Sequence, residues 1–420
     1  MNMQDIIPIA EKIKEAGGTL YLVGGAVRDA ILKRENHDKD YAVEGLTKET
    51  FTTLFPEAVL RGKDFAVWDI DGAEFALTRT ERKKEQGHKG FEITTEKVSI
   101  EEDLKRRDLT INAIAQNVLT GEIIDPYGGR EDIQKKVLRA VSDAFSEDPL
   151  RVYRTARFAA MLEWGVEDNT LEKMKLLQEE LSTLPKERVF VEFRKALQTK
   201  KPSIFLETLR RAEVLGVHFK EIQDLIGSTQ PEKYHPEGDS YQHTLLVVDK
   251  ACELSEDILV RFGALVHDLG KGVTPKEMLP HHYGHDKKGV EVVSKFCNRI
   301  GTPNSWKKAG QTASRYHMLG GIFDKMSPPK KVDFIENVSK TILGLDGLQY
   351  IVIADKCSGQ RICKEKEISF AKLGKEMLQE VNGKSCDEKE KMLIGMDFKN
   401  RLREKRIKWI QNKEKNVDNF

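Results

Sequence analysis

The sequence predicts an α+β fold, with a strand-bearing amino-terminal third and a long, mainly α-helical remainder. Three observations carry this. Short apolar runs separated by glycine-containing turns gather before residue 140. From residue 171 to 226 the apolar residues recur at helical spacing, as in PKERVFVEFRKAL and FLETLRRAEVLGV. Beyond that, histidines concentrate in helical runs, seven of the ten lying between His235 and His317, which sets that region apart from the rest. At 420 residues the chain exceeds one ordinary core. The patterns divide it into a head (1–140), a helical neck (141–228), a histidine-rich region (229–360) and a charged helical tail (361–420).

Composition narrows the function classes. The net charge is +1 with a third of the residues charged, so any nucleic-acid contact has to come from local basic patches. No apolar run is long enough to cross a bilayer. The first residues, MNMQDIIPIAEKIKEAGG, include acidic residues and lack the apolar core of a signal peptide. Five irregularly spaced cysteines without a CxxC pair read as reduced thiols. The expectation is a cytoplasmic protein with no membrane partner, monomeric or homodimeric.

Ile6, Ile9, Ala10 and Ile13 predict a first helix, stopped by Gly17-Gly18. The stretch 21–43, YLVGGAVRDAILKRENHDKDYAV, follows. A short strand runs into Gly24-Gly25, then a helix start with Arg28, then Asp38 and Asp40 before another apolar run. Paired glycines let backbone N–H groups approach a phosphate, and a helix start favours anions. Arg28 adds a charge-assisted donor. Asp38 and Asp40, two apart on extended backbone, share a face and form a natural Mg²⁺ holder. On spacing alone, a strand–turn–helix beside a solvated acidic loop is an equal reading.

Residues 66–70 and 74–78 predict a hairpin turning at Asp71-Gly72, beside the Asp-x-Asp strand. Glu74 there is either a third carboxylate or an exposed strand residue. Residues 80–97, polar with two glycines, read as a mobile loop. Residues 100–116 give a helical apolar face from Leu104, Leu109, Ile111 and Ile114, carrying Arg106-Arg107-Asp108 as an ion-pair cluster or a triphosphate contact. DPYGG at 125–129 is a turn. Residues 146–161 form an amphipathic helix with Ser146 as N-cap, Glu147 and Asp148 in the first turn and Pro149 near the start. Arg151, Arg154 and Arg157 recur every three residues along its side. That row is either a phosphate platform or a set of ion pairs.

Next come His243, His267-Asp268, His281-His282, His285, His317 and Asp355. His267-Asp268 closes an apolar run just before Leu-Gly-Lys-Gly, which places it at a helix end. An ordered H…HD…H…H…D series on several helices can assemble a divalent-metal site. The tail, RLREKRIKWIQNK, is either an RNA-backbone contact or, more often for such segments, a solvated face.

LVGGAVRD…DKDYAV, LKRRDLTINAIA, DPYGG and EDPLRVYRTARFAA, in this order, resemble the bacterial class II tRNA nucleotidyltransferases, the CCA-adding enzymes of the polymerase β-like superfamily. ERVFVEF is similar to that family too, and the region from His243 to Asp355 resembles the HD phosphohydrolase domain fused to it in some bacteria. The resemblance implies a nucleotidyltransferase head with a mixed or antiparallel sheet, followed by helical neck, HD and tail regions. It implies Mg²⁺ at the catalytic Asp38 and Asp40, and nucleotide binding by Gly25, Arg28 and Arg107. Glu147, Asp148 and Arg151 match its EDxxR motif, in which Asp and Arg read the base; Arg154 and Arg157 extend that site. The partners implied are tRNA, CTP and ATP. The polar loop at 80–97 corresponds to the element needed for the last A, which implies full CCA addition. For the HD region it implies His243, His267, Asp268, His317 and Asp355 as ligands to a metal such as Ni²⁺ or Mn²⁺, with 2′,3′-cyclic phosphodiesterase, 2′-nucleotidase or phosphatase activity. His281, His282 and His285 have no assigned role. The alternatives are an HD phosphohydrolase as the main activity, or a poly(A) polymerase, which shares the head.

The chemistry is consistent with this. Phosphoryl-type transfer needs positioning and charge stabilisation more than covalent help. Arg only donates and ionised Asp only accepts, so a small rotation of that pair suits C or A. G or U would leave a buried polar group unpaired, at about 1–3 kcal/mol, worth roughly ten- to a hundredfold in choice.

Overall fold

The amino-terminal patterning produces its elements where the apolar residues place them. Helix α1 (Met3–Glu15) buries Ile6, Ala10 and Ile13 on one stripe, and Gly17 follows with φ +86°. Strand β1 (Thr19–Val23) leads through Gly24 into α2 (Gly25–Ile31), and β2 (Asp40–Glu44) follows. Thr47 caps α3 (Lys48–Leu54) by accepting from the Thr50 N–H. Strands β3 (Val59–Arg61), β4 (Val67–Ile70) and β5 (Ala73–Leu77) come next. Asp71 and Gly72 both have positive φ, +48° and +79°, as the tight β4–β5 hairpin requires.

The structure, a computed structural model, describes residues 3–35, 39–61, 66–83, 91–95, 98–233, 235–358, 368–387, 390, 392–393 and 395–417. Residues 80–97 are not simply a loop. Strands β6 (Thr80–Lys83) and β7 (Phe91–Thr94) pair as an antiparallel ribbon, while 84–90 and 96–97 lie outside the described residues. Then come α4 (Ile100–Lys105), β8 (Ala115–Asn117), β9 (Ile123–Ile124), α5 (Gly129–Lys135) and β10 (Val137–Leu138).

Seven strands form one mixed sheet in the order β3-β4-β5-β2-β1-β8-β9, with β2 and β5 parallel and the other pairs antiparallel. Side-chain alternation gives the sheet two buried faces. On one, Tyr41, Val43, Trp68 and Phe75 meet Ile6 and Ile13 of α1 and Phe51 of α3. On the other, Tyr21, Val23 and Ala42 meet Ile100 and Leu104 of α4. Asp40 therefore starts a strand whose core is covered on both sides.

The rest of the described chain is mainly helical. It contains α6 (Leu150–Leu162), the short strand β11 (Gly165–Val166), α7 (Asp168–Leu176), α8 (Gln178–Leu181), α9 (Lys186–Leu197), α10 (Ser203–Arg211) and α11 (Leu215–Gln223). Helices α12 (Ser240–Leu254), α13 (Ile258–Val266), α14 (His285–Ile300) and α15 (Asn304–Gly321) follow, then α16 (Pro328–Val338), α17 (Gly344–Cys357), α18 (Phe370–Glu380) and α19 (Met396–Val417). The chain divides into two units, Met1–Glu192 with Ile204–Val214, and Phe193–Ser203 with Leu215–Phe420. In the second, Val247, Ala251, Val260, Ala264, Ala313 and Ile351 form one apolar core, and Phe334, Phe370 and Ile410 belong to another. No described helix is long and apolar enough to cross a membrane.

Three local expectations need correction. The helix of residues 146–161 begins at Leu150; Asp143–Glu147 is a 3₁₀ turn capped by Ser142, because Pro149 supplies a preset helical φ and no N–H. Residues 100–116 are not one helix. α4 stops at Lys105, Arg106-Arg107-Asp108 lie at and beyond its end, and Ala115 is already paired to Val23 in the sheet. Cys252, Cys297 and Cys386 are free thiols, whereas Cys357 is disulfide-bonded.

Candidate functional site

The head site is built where β1 ends. Val23 is in register with Asp40, so Asp40 stands beside the strand end that runs into Gly24-Gly25. On its other side Asp40 is in register with Glu74 of the parallel β5, and both residues are exposed. Glu74 is thus the strand neighbour of the predicted catalytic carboxylate. Asp38 lies outside the described residues. Gly24 has φ +67°, and a Cβ there would sit 2.9 Å from Nη1 of Arg107. Glycine is needed both for the backbone turn and for the guanidinium that crosses it. Arg107 is held by Asp103, 3.1 Å away, which also takes Arg106. Burial alone would raise the Asp103 pKa, but Arg106 and Arg107 draw it below the ordinary value.

Arg28 is buried. Its Nε and Nη2 donate to Asp29 at 2.8 and 2.9 Å, and its Nη1 donates to Asn112 Oδ1 at 2.6 Å. Asn112 Nδ2 donates to Asp108, and Asp108 takes Arg154 through Nε at 2.8 Å and Nη2 at 2.7 Å. Burial opposes ionisation of Asp108; Arg154 and Asn112 outweigh it and hold the carboxyl far below its usual range. An unbroken polar relay therefore joins the glycine turn to α6. The guanidiniums of Arg28, Arg154 and Arg157 also surround the Phe158 ring, at 5.2, 5.6 and 4.1 Å from its centroid.

The α6 arginines do not form one open platform. Arg154 belongs to the relay. Arg157 is buried against Glu192 at 2.5 Å. Arg151 donates to the carbonyls of Ala144 and, at 2.7 Å, Arg106. Asp148 accepts from the Leu150 N–H at 3.0 Å and from Arg188 at 3.3 Å, so its side-chain guanidinium partner is Arg188. Asn112, Phe158, Arg188 and Glu192 were not singled out from sequence. Asn112 and Phe158 sit inside quoted motifs, and Arg188 and Glu192 inside ERVFVEF.

The histidine region converges. His243 comes from α12, His267 caps α13, Asp268 follows it, His285 opens α14, His317 lies on α15 and Asp355 on α17. These positions continue the apolar stripes of their helices: His243 lies four before Val247, His267 three after Ala264, His317 four after Ala313, and Asp355 four after Ile351. Gly270, just beyond, lets the chain pass α14 closely, since a Cβ would lie 2.1 Å from the His285 carbonyl oxygen.

Each ring is oriented through Nδ1. His243 meets Glu237 at 2.7 Å, His267 the Ala264 carbonyl at 2.7 Å, His285 the His282 carbonyl at 2.7 Å, and His317 the Ser314 carbonyl at 3.0 Å. The four Nε2 atoms then face the two carboxylates. Asp268 Oδ2 lies 3.2 Å from His267 and 3.7 Å from His243, and its Oδ1 lies 3.3 Å from His285 and 3.4 Å from His317. Asp355 Oδ1 lies 3.1 Å from His243. Burial would raise the pKa of Asp268, yet His267 and Lys271 hold it well below the ordinary range.

His267 Nε2 and Asp268 Oδ1 are buried without a hydrogen-bond partner. Such atoms are costly unless something fills the space between them. Two ligand-type groups, His243–His267–Asp355 and His267–Asp268–His317, have the spacing a metal ion needs. All five predicted ligands come together, and the structure adds His285. His282 is structural, bonded to Thr274 and the Thr229 carbonyl at 2.9 Å each, and His281 stacks on Tyr283. Lys271, 2.5 Å from both Asp268 and Gln230, was not foreseen, though the Leu-Gly-Lys-Gly run carried it.

Five cations of the tail helix are answered by acids. Arg401, Arg403, Lys405, Arg406 and Lys413 of α19 pair with Glu390, Asp333, Glu390, Glu336 and Glu376.

Residues 20–139 match the family described as the poly A polymerase head domain, 165–226 the probable RNA and SrmB-binding site of polymerase A, and 240–335 the HD domain. Among solved structures, the chain is similar to a tRNA nucleotidyltransferase complexed with a primer tRNA and an incoming ATP analogue. Identity is 25% over 89% of this chain and 99% of that one, with a TM-score of 0.59. It shares its fold with a Thermotoga maritima CCA-adding enzyme complexed with tRNA, at 18% identity over 95% and 88% of the chains and a TM-score of 0.64. A tRNA-processing enzyme with CTP matches at 22% identity over 95% and 99%, with a TM-score of 0.58.

Proposed function

The chain belongs to the tRNA nucleotidyltransferase family, with an HD domain on the same polypeptide, and from this premise we propose that it builds and repairs the 3′-terminal CCA of tRNA from CTP and ATP without a nucleic-acid template. The observation that carries the reading is the polar relay from the glycine turn to α6. Asp40 stands at the turn, Arg28 and Arg107 flank it, and Asn112 and Asp108 tie it to Arg154. One end of that relay handles triphosphate and the other leads to the EDxxR segment.

Asp38 and Asp40 would hold Mg²⁺, and the exposed Glu74 in register with Asp40 suits a cation there. When bound, the ion supplies charge stabilisation at the transferring phosphate. Gly25 and Arg28 position the triphosphate, and Arg107 neutralises it from across Gly24. Asp148 and Arg151 read the base, for which Arg151 has to exchange its two carbonyl partners for base atoms. Arg154 and Arg157 set the inclination of that segment through Asp108 and Glu192.

The test is incubation with tRNA lacking CCA, Mg²⁺, and labelled CTP and ATP, singly and together. The parent incorporates a defined addition only with both nucleotides, and Asp40→Ala incorporates none. Unlimited extension with ATP alone would instead identify a poly(A) polymerase.

A second activity rests on the convergence of the histidine cluster, where His267 Nε2 and Asp268 Oδ1 are buried without a hydrogen-bond partner. His243, His267, Asp268, His317 and Asp355, with His285, would hold a divalent cation such as Ni²⁺ or Mn²⁺, supplying Lewis-acid charge for phosphate-ester hydrolysis. Glu237 and the main-chain carbonyls fix the rings in the tautomer that faces the centre. Hydrolysis of a 2′,3′-cyclic nucleotide in the presence of either metal, lost in Asp268→Ala with CCA addition retained, is the expected outcome. An unchanged rate in that variant would remove the assignment.

A further inference from the structure

The HD-bearing unit has a cavity of about 760 Å³ between α14, α15 and the chain after α16. Lys287, Lys308 and Lys340 line it, all three exposed. Arg315 lines it too, bonded to Asp286 at 2.9 Å. Lys287 lies two residues beyond the predicted ligand His285, and Arg315 two before His317, so the cavity faces away from the metal centre across the same two helices.

We propose that this cavity is a sequence-independent RNA-backbone contact, engaging phosphodiester groups of the tRNA substrate. This rests on the tRNA reading above. The five tail cations named above are answered by acids, whereas no acid pairs with Lys287, Lys308 or Lys340 among the described residues. Three ammonium groups around one hollow repel one another and favour a polyanion. Several polar side chains of the lining are partly committed to protein partners. The Gln311 amide donates to Ser294, the Thr312 hydroxyl to the Lys308 carbonyl, and the Thr341 hydroxyl to the Val338 carbonyl. Arg315, the one fork able to grip a guanine edge or a terminal phosphate bidentately, already holds Asp286. Lysines act as point charges that accept any phosphate orientation, which suits a backbone. Tyr316 and the half-exposed Ile342 supply apolar wall for a ribose.

The experiment uses the full chain and tRNA lacking CCA, with binding followed by fluorescence anisotropy across a salt series. In Lys287→Glu/Lys308→Glu/Lys340→Glu, affinity is expected to fall at least tenfold at low salt. The slope of log K against log salt should shrink by about 2–3, since each phosphate contact contributes roughly 0.7–0.9. CTP affinity, measured by calorimetry without RNA, should stay unchanged, as should the label incorporated at saturating tRNA. The milder Lys308→Ala should lose a slope of somewhat under one, which covers the case of a triple variant that fails to fold. Unaltered tRNA affinity and slope in both variants overturn the proposal. So does loss of CTP affinity in the triple variant, which would mark a mononucleotide pocket. Binding is read apart from transfer, so a parent that binds tRNA through these lysines but adds no CCA would fail only the enzymatic reading.

Discussion

Arg157 illustrates how a side chain in a functional-looking row can be structural. Its guanidinium meets the buried Glu192 at 2.5 Å and lies 4.1 Å from the Phe158 centroid. Removing one partner of such a pair strands a charge, whereas removing both does not. Glu192→Leu is therefore expected to cost about 3 kcal/mol, and Arg157→Met/Glu192→Leu to recover most of it. Urea unfolding of the two variants beside the parent checks this. An additive double variant would mean the pair is not coupled. Asp249 offers a second residue-level prediction. Burial pushes its carboxyl up to about 6, and the hydrogen bonds it accepts from the Ser203 N–H and hydroxyl only partly offset that. The folded protein thus holds this proton more tightly than the unfolded chain. The stabilisation is complete below about pH 4 and is lost as the pH rises through 6. Asp249→Asn should remove a loss of roughly 2 kcal/mol between pH 4 and 7. Unfolding free energies at the two pH values, compared between parent and variant, decide it.

Among the elements, α4 is short and depends on its start. Ser99 accepts from the Glu102 N–H, and Glu102 answers by accepting from the Ser99 N–H. The helix orients Asp103, which holds Arg107 over Gly24. Ser99→Ala is expected to cost about 1 kcal/mol and to weaken CTP binding, because a frayed α4 no longer fixes Arg107. Calorimetry with CTP and urea unfolding measure the two effects, and a stability loss with unchanged CTP affinity would uncouple α4 from the site. This element also shows where sequence reasoning stops. α1, the Asp71-Gly72 hairpin and the helix end at His267 were legible, since apolar period, turn chemistry and a terminal polar doublet are local signals. The break after Lys105 was not. Leu109, Ile111 and Ile114 continue a helical period, but Ala115 is claimed by its pairing with Val23, a non-local bond that periodicity cannot register. The row Arg151, Arg154, Arg157 was legible as a row. Its division among main-chain carbonyls, Asp108 and Glu192 was not, because the partners are distant in sequence. His285 was visible as a histidine, and only convergence on Asp268 set it apart from His281 and His282.

At the scale of the whole molecule, the question is whether two chemistries sit on one chain independently. The histidine cluster has four imidazoles and two carboxylates converging, with His267 Nε2 and Asp268 Oδ1 buried and unsatisfied by protein. An ion there binds the folded state and has no equivalent site in the unfolded chain, so it stabilises by RT ln(1 + [L]/Kd), about 2.7 kcal/mol at a hundredfold excess over Kd. Adding Mn²⁺ to metal-stripped protein should therefore raise the unfolding temperature, and Asp268→Ala should abolish the rise. The rise should also shrink as the pH is lowered, because imidazole must be neutral to bind. The head gives the complementary response. MgATP should stabilise the parent and Asp268→Ala alike, and should lose its effect in Asp40→Ala, which keeps the Mn²⁺ response. Scanning calorimetry of the three proteins with each ligand reads all six cases. A Mn²⁺ shift that survives Asp268→Ala would place the ion elsewhere, and one that also disappears in Asp40→Ala would make the two sites a single linked system.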